Sequence, residues 1–221
     1  MTELAAVLFD MDGTLVDTEV LWWQTTAEIA AGLGHVLTDA DAPEVVGRAV
    51  EDTAAHLVRV ARAGDAEEVA RALTDSFFGR VEEGAPMRPG AQQLLAALEA
   101  EGLPFALVSA SPRVVVDSVV GGSLAHVPFA FTLSADDTTL TKPHPDPYRA
   151  AAERLGAAPG ACVAVEDSPD GAASAEAAGC GVLVVPSLLE VPPSPVRTFA
   201  PSLTEVTPDT LRACLVAPLR V

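Results

Sequence analysis

Near its start the chain carries a figure that leaves few folds open: the apolar run Ala5-Ala6-Val7-Leu8-Phe9 passes directly into Asp10-Met11-Asp12-Gly13-Thr14. Consecutive apolar residues without a polar alternate describe a strand covered on both faces, as in a parallel sheet, and the acidic, glycine-containing string marks its exit into a loop. The figure recurs: Phe105-Ala106-Leu107-Val108 ends at Ser109-Ala110-Ser111, and Cys162-Val163-Ala164-Val165 ends at Glu166-Asp167. Further strands are predicted over Phe131 to Ser134 and Gly181 to Val185, with helices over Ala91 to Glu101, Pro147 to Leu155 and Gly171 to Ala178. Ser111-Pro112 reads as a capping serine followed by the proline of a helix start. Such alternation predicts an α/β fold with a doubly wound parallel sheet. Ligands of such sheets bind beyond the carboxyl ends of the strands, which is where Asp10, Asp12, Ser109, Glu166 and Asp167 fall.

One stretch departs from the alternation. After Asp17-Thr18 the apolar positions Leu21, Trp22, Ile29 and Leu33 follow a helical period, and Gly34 suits the stop. Helical patterns follow over Asp52 to Ala63 and Ala66 to Phe78 without a convincing strand between them. Residues 18–84 are therefore expected to be an inserted helical domain, and residues 1–17 with 85–221 the sheet domain; a helical part of one domain is the plainer alternative. From Pro186 the tail is proline-rich, and only Pro208 to Leu215 reads as helix.

Composition narrows the function. Of the 221 residues, 49% are hydrophobic and 20% charged, which excludes a disordered acidic chain despite a net charge of -18. That charge argues against nucleic acid and anionic membranes as partners, because phosphate backbones are bound by clustered Lys and Arg. A small phosphorylated metabolite still fits if local cations reverse the field in a cleft. Cys162, Cys180 and Cys214 have no ligand spacing and read as buried thiols of a reducing compartment. The first apolar run is too short for a signal peptide and no run reaches spanning length, so a soluble cytoplasmic protein is expected. Neither a G-x-x-x-x-G-K-[ST] loop nor a strand-borne G-x-G-x-x-G is present.

Four strings, Asp10-Met11-Asp12-Gly13-Thr14, Ser109-Ala110-Ser111, Lys142-Pro143 and Glu166-Asp167, resemble in order the four motifs of the haloacid dehalogenase-like hydrolase superfamily. The inserted helices resemble the cap of the β-phosphoglucomutase subgroup. Asp17-Thr18-Glu19 with Leu21-Trp22, Ser109-Ala110-Ser111-Pro112 and Lys142-Pro143-His144-Pro145 are most similar to 2-deoxyglucose-6-phosphate and hexitol phosphatases. The resemblance implies a Rossmann-like core and a Mg²⁺-dependent phosphatase that acts on a sugar or polyol phosphate through an aspartyl-phosphate. It implies Asp10 as nucleophile and metal ligand, Asp12 as proton donor and acceptor with its backbone carbonyl on the metal, and Asp167 as a further ligand. Glu166 would stand behind them, orienting a water or Lys142. Ser109 and the backbone at Ala110 would hold the phosphoryl oxygens, and Glu19, Arg48 and Trp22 would meet the leaving group from the cap. No obligate protein partner is implied.

The residue types suit that chemistry, since an ester surrounded by negative charge needs a positioned nucleophile and cations on its oxygens. Lys142 is the one lysine among 13 Lys plus Arg, and a compact ammonium is what a point contact to phosphate requires. A surface lysine, a helix N-cap at Glu166-Asp167-Ser168 and a capping role for Ser109 are the plainer readings of the same residues. His144, flanked by prolines, reads as structural. A dehalogenase needs neither Asp12 nor Asp167, and a phosphonate hydrolase of this kind needs a cap lysine, which is lacking. The mutase stays open: its hinge histidine falls at Trp22 and its cap arginine at Val50, but Arg48 is near. A non-catalytic binding module is the other alternative.

Overall fold

The computed structural model describes residues 3–46 and 48–215. These divide into two compact units, Asp17–Ala85 and the described residues on either side of it.

The larger unit is built on β1 (Ala6–Phe9), every residue of which is buried. It is flanked by β2 (Phe105–Val108) and β4 (Cys162–Glu166), and the sheet is completed by β3 (Thr132–Leu133), β5 (Gly181–Val184) and β6 (Arg197–Phe199). All pairings are parallel, in the order β3-β2-β1-β4-β5-β6. The chain moves outward from β1 to β3 on one side and from β4 to β6 on the other, so the order reverses between β1 and β4. At that reversal loops leave in opposite directions and open a crevice for ligand.

Around this sheet run α5 (Ala91–Ala100), α6 (Arg113–Gly121), α7 (Asp146–Arg154), α8 (Pro169–Ala178) and α9 (Pro208–Ala213). One face of the strands, including Ala6, Leu8, Ala106 and Ala164, packs on Tyr148 and Ala151 of α7 and Ala172 and Ala175 of α8. Such small residues let helix and sheet approach closely. Elsewhere Phe105 makes edge-to-face contacts with Phe9 at 6.2 Å and Phe129 at 5.6 Å.

Two local expectations fail. Ser111 does not cap α6: the cap position is Pro112, and the first-turn amide of Arg113 donates instead to Asp136 Oδ2 at 2.7 Å, a carboxylate from the loop after β3. Strand β6 lies inside the proline-rich tail, where no strand is expected. It borrows its order from β5, pairing Val182 with Arg197 and Leu183 with Thr198, and offers no apolar run of its own. The tail helix ends at Ala213, and residues 216–221 lie outside the described chain.

The smaller unit contains α1 (Thr18–Gly32), a short α2 (Ala42–Val45), α3 (Val50–Ala61) and α4 (Ala66–Gly84). Its core gathers Ala30, Ala54, Leu57, Val69 and Leu73, with Trp22, Ile29 and Leu33 against them. Asp65 caps α4 by accepting from the amides of Glu67 and Glu68. No described helix is long and apolar enough to cross a membrane.

Candidate active site

Strand register assembles the site. Phe9 stands opposite Val165 on β4, and the amide of Asp10 donates to Val165 O at 3.0 Å, so Asp10 leaves the sheet beside Glu166. On the other flank the amide of Ser109 donates to Leu133 O at 2.9 Å. The loop beyond Asp10 closes tightly, with Gly13 N–H donating to Val16 O and Leu15 and Val16 N–H to Met11 O. Gly13 has φ 76°, and a Cβ there would lie 2.1 Å from Asp167 Oδ2. Glycine is thus needed both for the turn and for the approach of Asp167.

Lys142 reaches this edge from the loop before α7, and its side chain is only 4% exposed. Its ammonium donates to Asp10 Oδ1 at 2.7 Å and Glu166 Oε1 at 2.6 Å. Burial works against that charge, but Asp10 and Glu166 overcome it and hold the ammonium above its ordinary range. The surface-lysine alternative is therefore excluded.

Glu166 is fully buried and saturated with donors. Oε1 also accepts from the Tyr148 hydroxyl at 2.5 Å, while Oε2 accepts from Ser168 Oγ at 3.1 Å and the amide of Asp167 at 3.3 Å. The carboxylate lies so close to α8 that a Cβ on Gly171 would meet it at 2.0 Å. Ser168, not the acids, caps α8, by accepting from Gly171 N at 3.1 Å.

The other two acids are not saturated. Asp10 Oδ2 is buried with no hydrogen-bond partner among the described residues, although Oδ1 is held by Lys142. Asp167 accepts from Ser187 Oγ and, at 3.5 Å, from Thr14 Oγ1. Burial raises the Asp10 pKa; Lys142 opposes this, and Glu166, Asp167 and Asp12 add to it. Burial likewise pushes Asp167 up to about 6, against the hydrogen bond from Ser187. Oxygens of Asp10, Glu166 and Asp167 lie within 4.8 Å of one another. A partnerless buried carboxylate oxygen among like charges, in an all-oxygen donor set, fits a hard divalent cation such as Mg²⁺. With Glu166 occupied by its four donors, Asp10 and Asp167 are the members of this cluster that could hold one.

Asp12 faces the other way along the edge. Its Oδ2 accepts from Ser111 Oγ at 2.7 Å and from Ser109 Oγ at 3.4 Å, and Ser109 Oγ accepts from Ser111 N at 2.9 Å. Ala110 is exposed beside them. Sequence reasoning missed Tyr148, Ser187 and the role of Ser111. Ser187, just past β5, sits at the strand end where ligand-facing residues collect, and Tyr148 is the single tyrosine of the chain.

Glu19, Trp22 and Arg48, expected to meet substrate, belong to the smaller unit. Glu19 lies in the first turn of α1. The indole N–H of Trp22 donates to Val45 O at 2.9 Å and its ring packs on the edge of Phe77 at 5.5 Å, so its polar handle serves the internal packing of that unit. Arg48 is exposed, with Nε donating to Pro43 O at 2.9 Å. His144 fastens a loop: its carbonyl accepts from Ser174 Oγ at 2.5 Å and its ring meets Asp146.

The parallel sheet thus collects acids, hydroxyls and one buried lysine at its switch point. The chain belongs to the haloacid dehalogenase-like hydrolases, whose family pattern it matches over residues 4–179. It is 31% identical over 189 residues to hexitol phosphatase B of Escherichia coli, covering 84% of this chain and 85% of that one. The structure of CbbY from Rhodobacter sphaeroides in complex with phosphate superposes with TM-score 0.71 at 26% identity, over 94% of this chain and 99% of that one. A family hydrolase from Deinococcus radiodurans with bound phosphate and sodium gives TM-score 0.72 at 28% identity, over 83% and 81%.

Proposed function

We propose that this protein hydrolyses the phosphate monoester of a small sugar or polyol, with Mg²⁺ as cofactor and Asp10 as nucleophile. One observation carries the reading: Asp10 is buried, anchored through Oδ1 by Lys142, and left with an oxygen, Oδ2, that no group among the described residues satisfies. A carboxylate so held costs free energy unless it faces a cation or an electrophile, and this site calls for both. Asp10 and Asp167 would hold the metal with the backbone carbonyl of Asp12, and when bound it supplies positive charge to the acids and the phosphoryl oxygens.

The chain's own groups divide the remaining work. Asp10 attacks phosphorus and the ester P–O bond breaks, while Asp12 gives its proton to the departing alkoxide, which leaves as an alcohol. Water then attacks the aspartyl-phosphate and yields its proton to Asp12, releasing inorganic phosphate and restoring Asp10. Two N–H groups of Lys142 are spent on Asp10 and Glu166, and the third is available to a phosphoryl oxygen. Ser109 and the Ala110 backbone are the further phosphoryl contacts. The helical unit would act as the cap that selects the leaving group, through Glu19 and Arg48. The likeness to a hexitol phosphatase and to a phosphate-bound structure supports the substrate class.

A panel of hexitol and sugar monophosphates, with p-nitrophenyl phosphate as a generic ester, tests the reading. Turnover in Mg²⁺ that EDTA stops and Asp10→Asn abolishes is expected. No turnover of any ester, in a folded protein with Mg²⁺ present, would leave a phosphosugar mutase or a binding module instead.

A further inference from the structure

Ser111 is placed for a task that helix capping does not explain. Both of its backbone groups are engaged: its amide donates to Ser109 Oγ at 2.9 Å and its carbonyl accepts from Ala135 N at 2.9 Å. The amide it was positioned in sequence to cap, that of Arg113, is satisfied by Asp136. Its hydroxyl instead crosses to β1's loop and donates to Asp12 Oδ2 at 2.7 Å, the shorter of the two serine contacts to that oxygen.

We infer that Ser111 is a positioning residue that orients the Asp12 carboxyl for proton transfer by donating to its Oδ2. A hydroxyl that donates to one carboxyl oxygen restricts the rotation of the group, so the carboxyl is held in one orientation towards the leaving oxygen. Because Ser111 is itself held through its amide and carbonyl, its hydroxyl can set that orientation rather than follow it. The inference rests on the phosphatase reading above, in which Asp12 protonates the leaving group.

The test exploits leaving-group basicity. p-Nitrophenyl phosphate and phenyl phosphate are close in size, but nitrophenolate departs without help whereas phenolate benefits from a proton. kcat/KM reports only steps up to phosphorylation of Asp10, so the later hydrolysis does not enter. Ser111→Ala is expected to lower kcat/KM for phenyl phosphate roughly tenfold or more while leaving p-nitrophenyl phosphate within about twofold, a fraction of what general acid catalysis supplies. Ser111→Thr, which keeps the hydroxyl, should return the ratio of the two towards that of the unaltered protein. Equal losses on both esters, no loss on either, or a threonine variant as unbalanced as the alanine one would overturn the inference and leave the phosphatase reading intact. Hydrolysis of no ester, aryl or sugar, by the unaltered protein would overturn both.

Discussion

Glu166 has no exposed surface and accepts four hydrogen bonds, so its charge is held in place rather than offered to a ligand. Its work is to hold Lys142, and the fit is tight enough to be broken by one methyl group. Gly171→Ala would drive a Cβ into the carboxylate, so kcat is expected to fall at least tenfold with helix content retained, as read by steady-state kinetics beside circular dichroism. Lys142→Ala should lower kcat/KM by about two to three orders of magnitude, as loss of one positioned electrostatic group does. Lys142→Arg should recover little, because a planar guanidinium does not fit between two carboxylates shaped for an ammonium. A nearly normal alanine variant would show that the lysine is not at the reacting centre. The acids and the lysine were legible because each ends an apolar run or belongs to a familiar string. Tyr148 and Ser187 were not, since they meet Glu166 and Asp167 from 18 and 20 residues away, through contacts that exist only once β4, β5 and α7 have packed.

At the scale of elements, Asp41 organises the turn between α1 and α2 of the helical unit. This buried carboxylate accepts from Thr38 N at 2.9 Å, Thr38 Oγ1 at 3.1 Å, His56 Nε2 at 2.8 Å and His35 Nε2 at 3.3 Å. Arg59 donates to His56 Nδ1 at 2.8 Å, so the proton His56 presents to Asp41 sits on Nε2. Burial alone would raise the Asp41 pKa, but the hydrogen bonds of Thr38, His56 and His35 overcome it and hold the carboxyl well below its ordinary range. A depressed folded-state pKa stabilises above the unfolded-state value, near 4, and that stability drains away as pH falls below it. Asp41→Asn should therefore lower the Tm at pH 7, by the equivalent of roughly 1–3 kcal/mol. It should also flatten the loss of Tm between about pH 5 and pH 3. Parallel acid limbs in the two proteins would contradict this. The helices of this unit were visible in sequence because their apolar positions repeat with the helical period. α2 and β6 were not: the first is four residues long, and the second takes its conformation from β5.

For the whole molecule, a net charge of -18 makes the concentration of acids at the crevice expensive, and a divalent cation is the natural remedy. If Mg²⁺ is held by the folded site and not by the unfolded chain, it should raise the Tm of the unaltered protein, with the logarithm of its concentration once that exceeds the Kd. Asp167→Asn should blunt that rise; an unchanged response would place the ion elsewhere. The central claim, that turnover passes through Asp10, is open to direct observation. The protein is mixed with Mg²⁺ and a hydrolysed phosphate ester, quenched in acid during turnover, digested and mapped by mass spectrometry. A phosphoryl group on the carboxyl of Asp10, absent when Asp10 is replaced by Asn, is the expected result. Steady turnover with no phosphoryl group on that residue, undiminished in the Asn variant, would contradict it.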